Sequence, residues 1–139
     1  GCQSDACMKH RRYDPLSSPN SVDIDHTGNP IQPGKRRDQL SISFGTGKVV
    51  GQFVQDAVCL GPPSNGNCTN LRIVLANNMT DEPFSLFSFD GVLGLGLSAL
   101  ALTPHFSFFG QLAAQNPGLL PHFAVYMAHT DDGQSAISF

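Results

Sequence analysis

No stretch of this sequence is apolar for long enough to cross a membrane as a helix. The longest run, Val92 to Leu102, is interrupted by Gly94, Gly96 and Ser98, whereas a span needs about eighteen or more consecutive apolar residues. Charge is scarce as well. Only 14% of the residues are charged and the formal net charge is −3, so there is no electrostatic basis for binding nucleic acid or an anionic lipid surface. A G-x-S-x-G nucleophile elbow and a Walker-type phosphate loop are both missing, which removes two common hydrolase chemistries. Gly94-Leu95-Gly96-Leu97-Ser98-Ala99 matches G-x-G-x-x-A. It lacks the acidic residue expected about twenty positions on and any surrounding alternation of strand and helix, so no dinucleotide is expected there. No initiating Met and no leader precede Gly1-Cys2, which gives the expectation of a piece of a longer product.

What is present points to a single β-rich unit. The 139 residues are 40% hydrophobic, and a chain of that size can bury roughly two-thirds of its unfolded surface. Fourteen glycines and ten prolines favour short strands joined by turns over a helical bundle. No repeat and no internal domain boundary is visible. Four cysteines lie in two close pairs, Cys2/Cys7 and Cys59/Cys68. Three pairings are open, and the local one closes two tight loops and is the simplest. Disulfides would place the protein in the secretory pathway, a vacuolar or lysosomal compartment, or outside the cell. The competing reading is a zinc site with His10 as an added ligand, which the wide second pair disfavours. Asn67-Cys68-Thr69 and Asn78-Met79-Thr80 are glycosylation sequons, with Asn67 and Asn78 as acceptors. His105, His122 and His129 are scattered and read as surface or capping residues, so no metal and no other cofactor is expected.

Residues 1–38 are polar and turn-rich, and the stretch from Asn29-Pro30 to Lys35-Arg36-Arg37 reads as an exposed loop. Its basic trio is a solvated face or a proteolytic nick site. From Gln39 the texture changes. Leu40-Ser41-Ile42-Ser43-Phe44 alternates apolar and polar, Gly45-Thr46-Gly47 turns, and 48–54 returns, which predicts a β-hairpin with a glycine-rich tip. Further strands are expected over 56–60, 71–76 and 89–95, the last with Gly91, Gly94 and Gly96 packed closely against something. Thr103-Pro104 opens an expected helix that Asn116-Pro117-Gly118 ends, with Phe108 and Leu112 on one face. Residues 123–128 and 134–139 read as a hairpin around Asp131-Asp132-Gly133, whose second strand stops without a following turn.

Several of these elements, in this order, resemble the pepsin family of aspartic endopeptidases. Cys2-x4-Cys7 followed by His10-x-x-Tyr13-Asp14-Pro15 and Ser17-Ser18 looks like that family's first disulfide loop. Ile42-Ser43-Phe44-Gly45-Thr46-Gly47 is similar to its flap, and Phe89-Asp90-Gly91-Val92-Leu93-Gly94-Leu95-Gly96 to its F-D-G-I-L-G-L-[GA] strand. The resemblance is colinear over nearly the whole chain. It implies a mainly β fold with one short α-helix, a partial pepsin-like lobe, with residues 1–139 a fragment of the N-terminal lobe. It also implies that Ser43, Phe44, Gly45 and Thr46 line a peptide cleft, and that Phe84, Phe89 and Val92 form the wall of an apolar substrate pocket. Tyr is usual in the family where this sequence has Phe44, so one flap hydroxyl is missing. Gly94 would sit where the family's loop supports the catalytic aspartate from below.

In that family, two lobes each supply one aspartate from an Asp-Thr/Ser-Gly loop. Two carboxylates so close cannot both ionise, so one acts as base toward a shared water while the other keeps a proton. No Asp-Thr-Gly or Asp-Ser-Gly occurs in these 139 residues, so no catalytic residue is assigned. Asp25-His26-Thr27-Gly28 carries one residue too many and lies in a polar loop, where an exposed carboxylate is expected to keep its ordinary pKa. The expected activity is therefore aspartic endopeptidase chemistry of the parent protein. This chain would be inactive by itself, its partners being a peptide or protein substrate and the remaining C-terminal lobe. The other reading is a non-catalytic, pepsin-like module serving as a structural or peptide-binding subunit of a larger assembly. Alone, the chain is expected to expose apolar area and to be poorly stable.

Overall fold

The structure, a computed structural model, describes residues 2–130 and 132–139; Gly1 and Asp131 lie outside the described residues. A short helix α1 (Asp5–Lys9) sits inside the first disulfide loop, closed by Cys2–Cys7, and Ser4 caps it by accepting from the Cys7 amide. This turn is a second α-helix beside the one expected near residue 108. After a two-residue strand β1 (Val22–Asp23), the chain builds β2 (Gln39–Phe44), β3 (Gly47–Cys59) and β4 (Cys68–Met79). The two strands expected over 48–54 and 56–60 are one. Gln52 and Gln55 pair on both sides and Asp56 pairs with Leu71 of β4, so the polar residues do not end the ladder.

β3 is the centre of this antiparallel sheet. β4 runs along one edge in register Val54↔Ile73 and Cys59↔Cys68, with a bulge at Val50/Gly51. β2 and then β1 share the other edge, in register Ile42↔Val49 and Val22↔Gln55. The Cys59–Cys68 disulfide closes the far end of the β3–β4 hairpin. The β2–β3 and β3–β4 connections are local reversals, which suits a chain rich in glycine and proline, whereas β1 and β2 both run against β3 and so in the same direction.

The helix expected over 103–116 divides in two. Pro104–Phe106 is a 3-10 turn and α2 (Phe108–Gln115) begins after Ser107, which is extended and stands at the N-cap position without a side-chain capping bond. Phe108 and Leu112, one turn apart, are buried against Leu71 of β4, with Val58, Leu60, Ile73, Leu95 and Leu119 around them. The Gln115 amide pairs with both backbone groups of Asn70, at 2.8 and 3.1 Å, and Asn116 Nδ2 donates to the Cys68 carbonyl, so the end of α2 is stitched to the start of β4. The expected terminal hairpin is present as β5 (Ala124–Tyr126) and β6 (Ala136–Ser138), paired Val125↔Ile137; its turn includes Asp131, outside the described residues.

Residues 89–95 form no strand. Gly91, Gly94 and Gly96 have open space where a side chain would go, the reverse of the close packing expected. The pattern is that of a strand, but no neighbour among the described residues takes its hydrogen bonds. Leu86, Val92, Leu97, Leu100 and Met127 are all largely exposed. A monomer of 14.9 kDa should expose about 7,000 Å², and this chain exposes 9692 Å². The surplus is on the order of 2,700 Å² by that scaling, and these exposed apolar side chains, which the small core around Phe108 does not cover, contribute to it.

Candidate functional site

The β2–β3 hairpin ends in a two-residue loop, Gly45-Thr46, with Phe44 opposite Gly47. Gly45 has φ +58°, the left-handed conformation that the first position of such a tight loop demands and that glycine takes without cost. Ser43, Gly45 and Thr46 are exposed along the tip. Close to its tip the hairpin is tied to a later segment: Thr80 N donates to the Lys48 carbonyl at 3.0 Å and Lys48 N donates to Thr80 Oγ1 at 3.1 Å.

Beneath the tip lies a row of aromatic rings. Phe44 meets Phe84 edge-on at 6.1 Å, Phe84 meets Phe87 at 6.2 Å, and Phe87 stacks on Phe89 at 4.7 Å. Phe44 and Phe89 stay roughly half exposed. Gly47 lets the row reach the hairpin, since a Cβ there would lie 2.6 Å from Pro83 Cδ and 2.7 Å from Phe84 Cε2. Of the residues named from the sequence, Phe44, Phe84 and Phe89 are thus brought together with the tip. Val92 is left 74% exposed. Phe87 was missed, although the Phe84-x-x-Phe87-x-Phe89 spacing was there to be read.

The N-terminal segment holds this row in place. Ala6 N donates to Asp81 Oδ1 at 2.9 Å, and the Lys9 ammonium donates to the Ser85 carbonyl. His10 Nε2 lies 2.9 Å from the Phe84 carbonyl; a carbonyl can only accept, so that nitrogen carries the proton. Arg11 donates to both oxygens of Asp90, from its backbone at 3.0 Å and from Nε at 2.7 Å, and the pair holds Asp90 below the usual carboxylate range. The aspartate of the F-D-G stretch is therefore a docking point for the first loop.

Asp25 does not keep its ordinary pKa. The Thr27 hydroxyl first, then the backbone amide of Asn29, with help from Asn29 Nδ2 and the Gly28 amide, pull it far down by donating to its ionised form. A half-buried carboxylate in a surface turn can thus be strongly perturbed by a turn of the chain alone. Asp14, Asp38, Asp90 and Asp132 also shift downward, whereas a proton-sharing pair needs one partner pushed up.

His26 Nδ1 lies 2.6 Å from Asp38 Oδ2, and this hydrogen bond raises the His26 pKa while lowering that of Asp38. Because the His26 value is raised, its contribution to stability is complete below about 6.5 and disappears as pH climbs through the folded value. Because the Asp38 value is lowered, its share is present above about 3.9 and is lost as pH falls through the depressed value. NMR titration of the His26 ring should give a midpoint above 6.5 that drops in Asp38→Asn; an unchanged midpoint would remove the pair as its cause.

Both cysteine pairs are disulfide-bonded, and no cluster of three or more His, Cys, Asp or Glu suited to a metal occurs among the described residues. His105, His122 and His129 are exposed and apart from the site. Asn67 is exposed in the loop before β4, and Asn78 is exposed on β4 itself.

The model of the eukaryotic aspartyl protease family matches residues 1–139. The chain is 36% identical to plasmepsin VIII of Plasmodium berghei over 70% of its length, 31% to cathepsin E of Oryctolagus cuniculus over 96%, and 30% to chymosin of Camelus dromedarius over 95%. It spans 22%, 30% and 31% of those three proteins respectively.

Proposed function

Because the chain belongs to the eukaryotic aspartyl proteases, we propose that it is the larger part of the first lobe of a pepsin-like aspartic endopeptidase, the part that covers and grips the substrate. One observation carries the reading: a glycine-tipped hairpin stands over the contiguous row Phe44, Phe84, Phe87 and Phe89. Exposed tip amides at Gly45 and Thr46 can bond an extended peptide backbone, and the rings offer apolar surface to a hydrophobic side chain. Val92 joins this wall only if residues 89–95 gain a neighbouring strand. The pair of carboxylates that activates water comes from outside these residues, since no Asp-Thr-Gly or Asp-Ser-Gly lies within them. Two disulfides and two exposed sequons support a secretory-pathway route.

The same tip amides and rings would serve a second reading, a non-catalytic, peptide-binding subunit. The complete polypeptide decides between them. It is expected to cleave a hydrophobic peptide at acid pH, with inhibition by a statine-type mimic of the tetrahedral intermediate, while residues 1–139 alone cleave nothing. Phe44→Ala in the complete enzyme should lower kcat/KM about tenfold, the loss of one aromatic contact to lid and substrate. Binding of the same peptide without cleavage by the complete polypeptide would sink the enzyme and leave the subunit.

A further inference from the structure

The basic trio Lys35-Arg36-Arg37 takes no part in the site. We propose that the bond between Arg36 and Arg37 is a built-in processing site for an endopeptidase that selects two consecutive basic residues. In its hydrolysis, water adds its hydroxyl to the Arg36 carbonyl carbon and its proton to the Arg37 nitrogen, leaving a carboxylate on Arg36 and a new amino terminus at Arg37.

Such an enzyme must bind several residues in extended form, with basic side chains free to enter its pockets. From Gln32 to Asp38 the backbone makes one hydrogen bond among the described residues, Lys35 N to the Gln32 carbonyl across Pro33-Gly34. Gly34 at φ +80° after a proline is the arrangement of a type II turn, which pushes Lys35 and Arg36 outward. Both are exposed, and neither side chain makes an ion pair or hydrogen bond among the described residues. The loop is anchored at each end, by the Ile24↔Pro30 bridge and by β2 from Gln39, so it can be cut without unravelling the sheet.

The three basic residues are not equivalent. Arg37 Nη2 donates to the Phe53 carbonyl at 2.7 Å and to Asp23 Oδ1 at 2.9 Å, and its side chain is mostly buried. It cannot swing into a protease pocket, so the scissile bond follows Arg36 and not Arg37. No disulfide spans the cut, because Cys2–Cys7 lies before it and Cys59–Cys68 after it. The pieces stay together through β1 on β3, Tyr13 and Ser18 on Asp56, and Arg11 on Asp90.

The complete folded polypeptide carrying these residues is treated with a subtilisin-type endoprotease selective for paired basic residues, the reduced and unfolded chain serving as control. The expected new amino terminus is Arg37-Asp38-Gln39-Leu40. The two pieces should co-elute in native buffer and part in detergent without reductant. Arg36→Gln should slow the cut on the order of 10⁴-fold, as for a site deprived of the charge it is built to bind. Asp23→Ala frees Arg37 and should add a second terminus at Asp38. A first cut elsewhere, a terminus at Asp38 in the unaltered protein, no second terminus in Asp23→Ala, or no cut while the control is digested would each overturn the assignment.

Discussion

Phe108→Ala is expected to cost about 3–5 kcal/mol, the usual range for emptying a phenylalanine site in a core. Phe108 is 1% exposed and sits between Leu71 and Leu112. The buried cluster is that small, so little can collapse into the hole and the transfer and cavity penalties both remain. Against a total stability of about 5–15 kcal/mol for a typical domain, the loss should be decisive. Urea unfolding of the complete protein should show the midpoint fall with an unchanged slope for the transition that carries these residues. Leu16→Ala is the matching control. That side chain is 94% exposed and its removal should move stability by less than about 0.5 kcal/mol. Equal effects from the two substitutions would mean that the Phe108 cluster is not the core.

Asp56→Ala should be nearly as damaging, at about 2–4 kcal/mol, because it leaves hydroxyls without their charged partner. Asp56 is buried in the middle of β3 and accepts from the Tyr13 phenol, from Ser18 Oγ at 2.8 Å and from its neighbour's amide. Burial, and then the hydrogen bond to Asp56, raise the Tyr13 pKa. A raised phenol value means that the folded state holds the proton more tightly. That contribution is present below about pH 10 and is lost as pH rises through the folded value. In Asp56→Ala the Tyr13 absorbance titration should shift downward along with the stability. A stability loss with no movement of the Tyr13 midpoint would show that the two residues are not coupled in solution.

The β2–β3 hairpin was legible in the sequence because everything that makes it is local. Alternation in Leu40-Ser41-Ile42-Ser43-Phe44 sets the strand, and Gly45 sets the turn. The face of α2 was legible for the same reason, since Phe108 and Leu112 are one turn apart. Its start was not. Thr103-Pro104 has the form of a helix opening, yet Ser107 takes an extended conformation and the first turn stays 3-10. The depressed Asp25 pKa was not legible, because a polar loop in the sequence implies a solvated carboxylate, while the Asp25–Asn29 turn aims several donors at it.

Residues 89–95 mark where pattern alone stops. Their apolar and glycine spacing is right for a strand, but a strand exists only when a second backbone takes its hydrogen bonds, and none among the described residues does. The aromatic row needed the tertiary structure as well. Phe44 and Phe84 are forty residues apart in the chain, and they meet because Thr80 closes onto Lys48 while the Lys9-His10-Arg11 segment grips 84–90.

By itself the sequence determined the β-rich class, the hairpin and the family, all of which follow from local spacing and ordered motifs. Only the tertiary structure decided that Asp56 is buried, that Asp90 docks the first loop, and that Arg37 is held while Arg36 is free. Each of these depends on which distant side chain arrives beside a charge, and a charge takes its character from its surroundings.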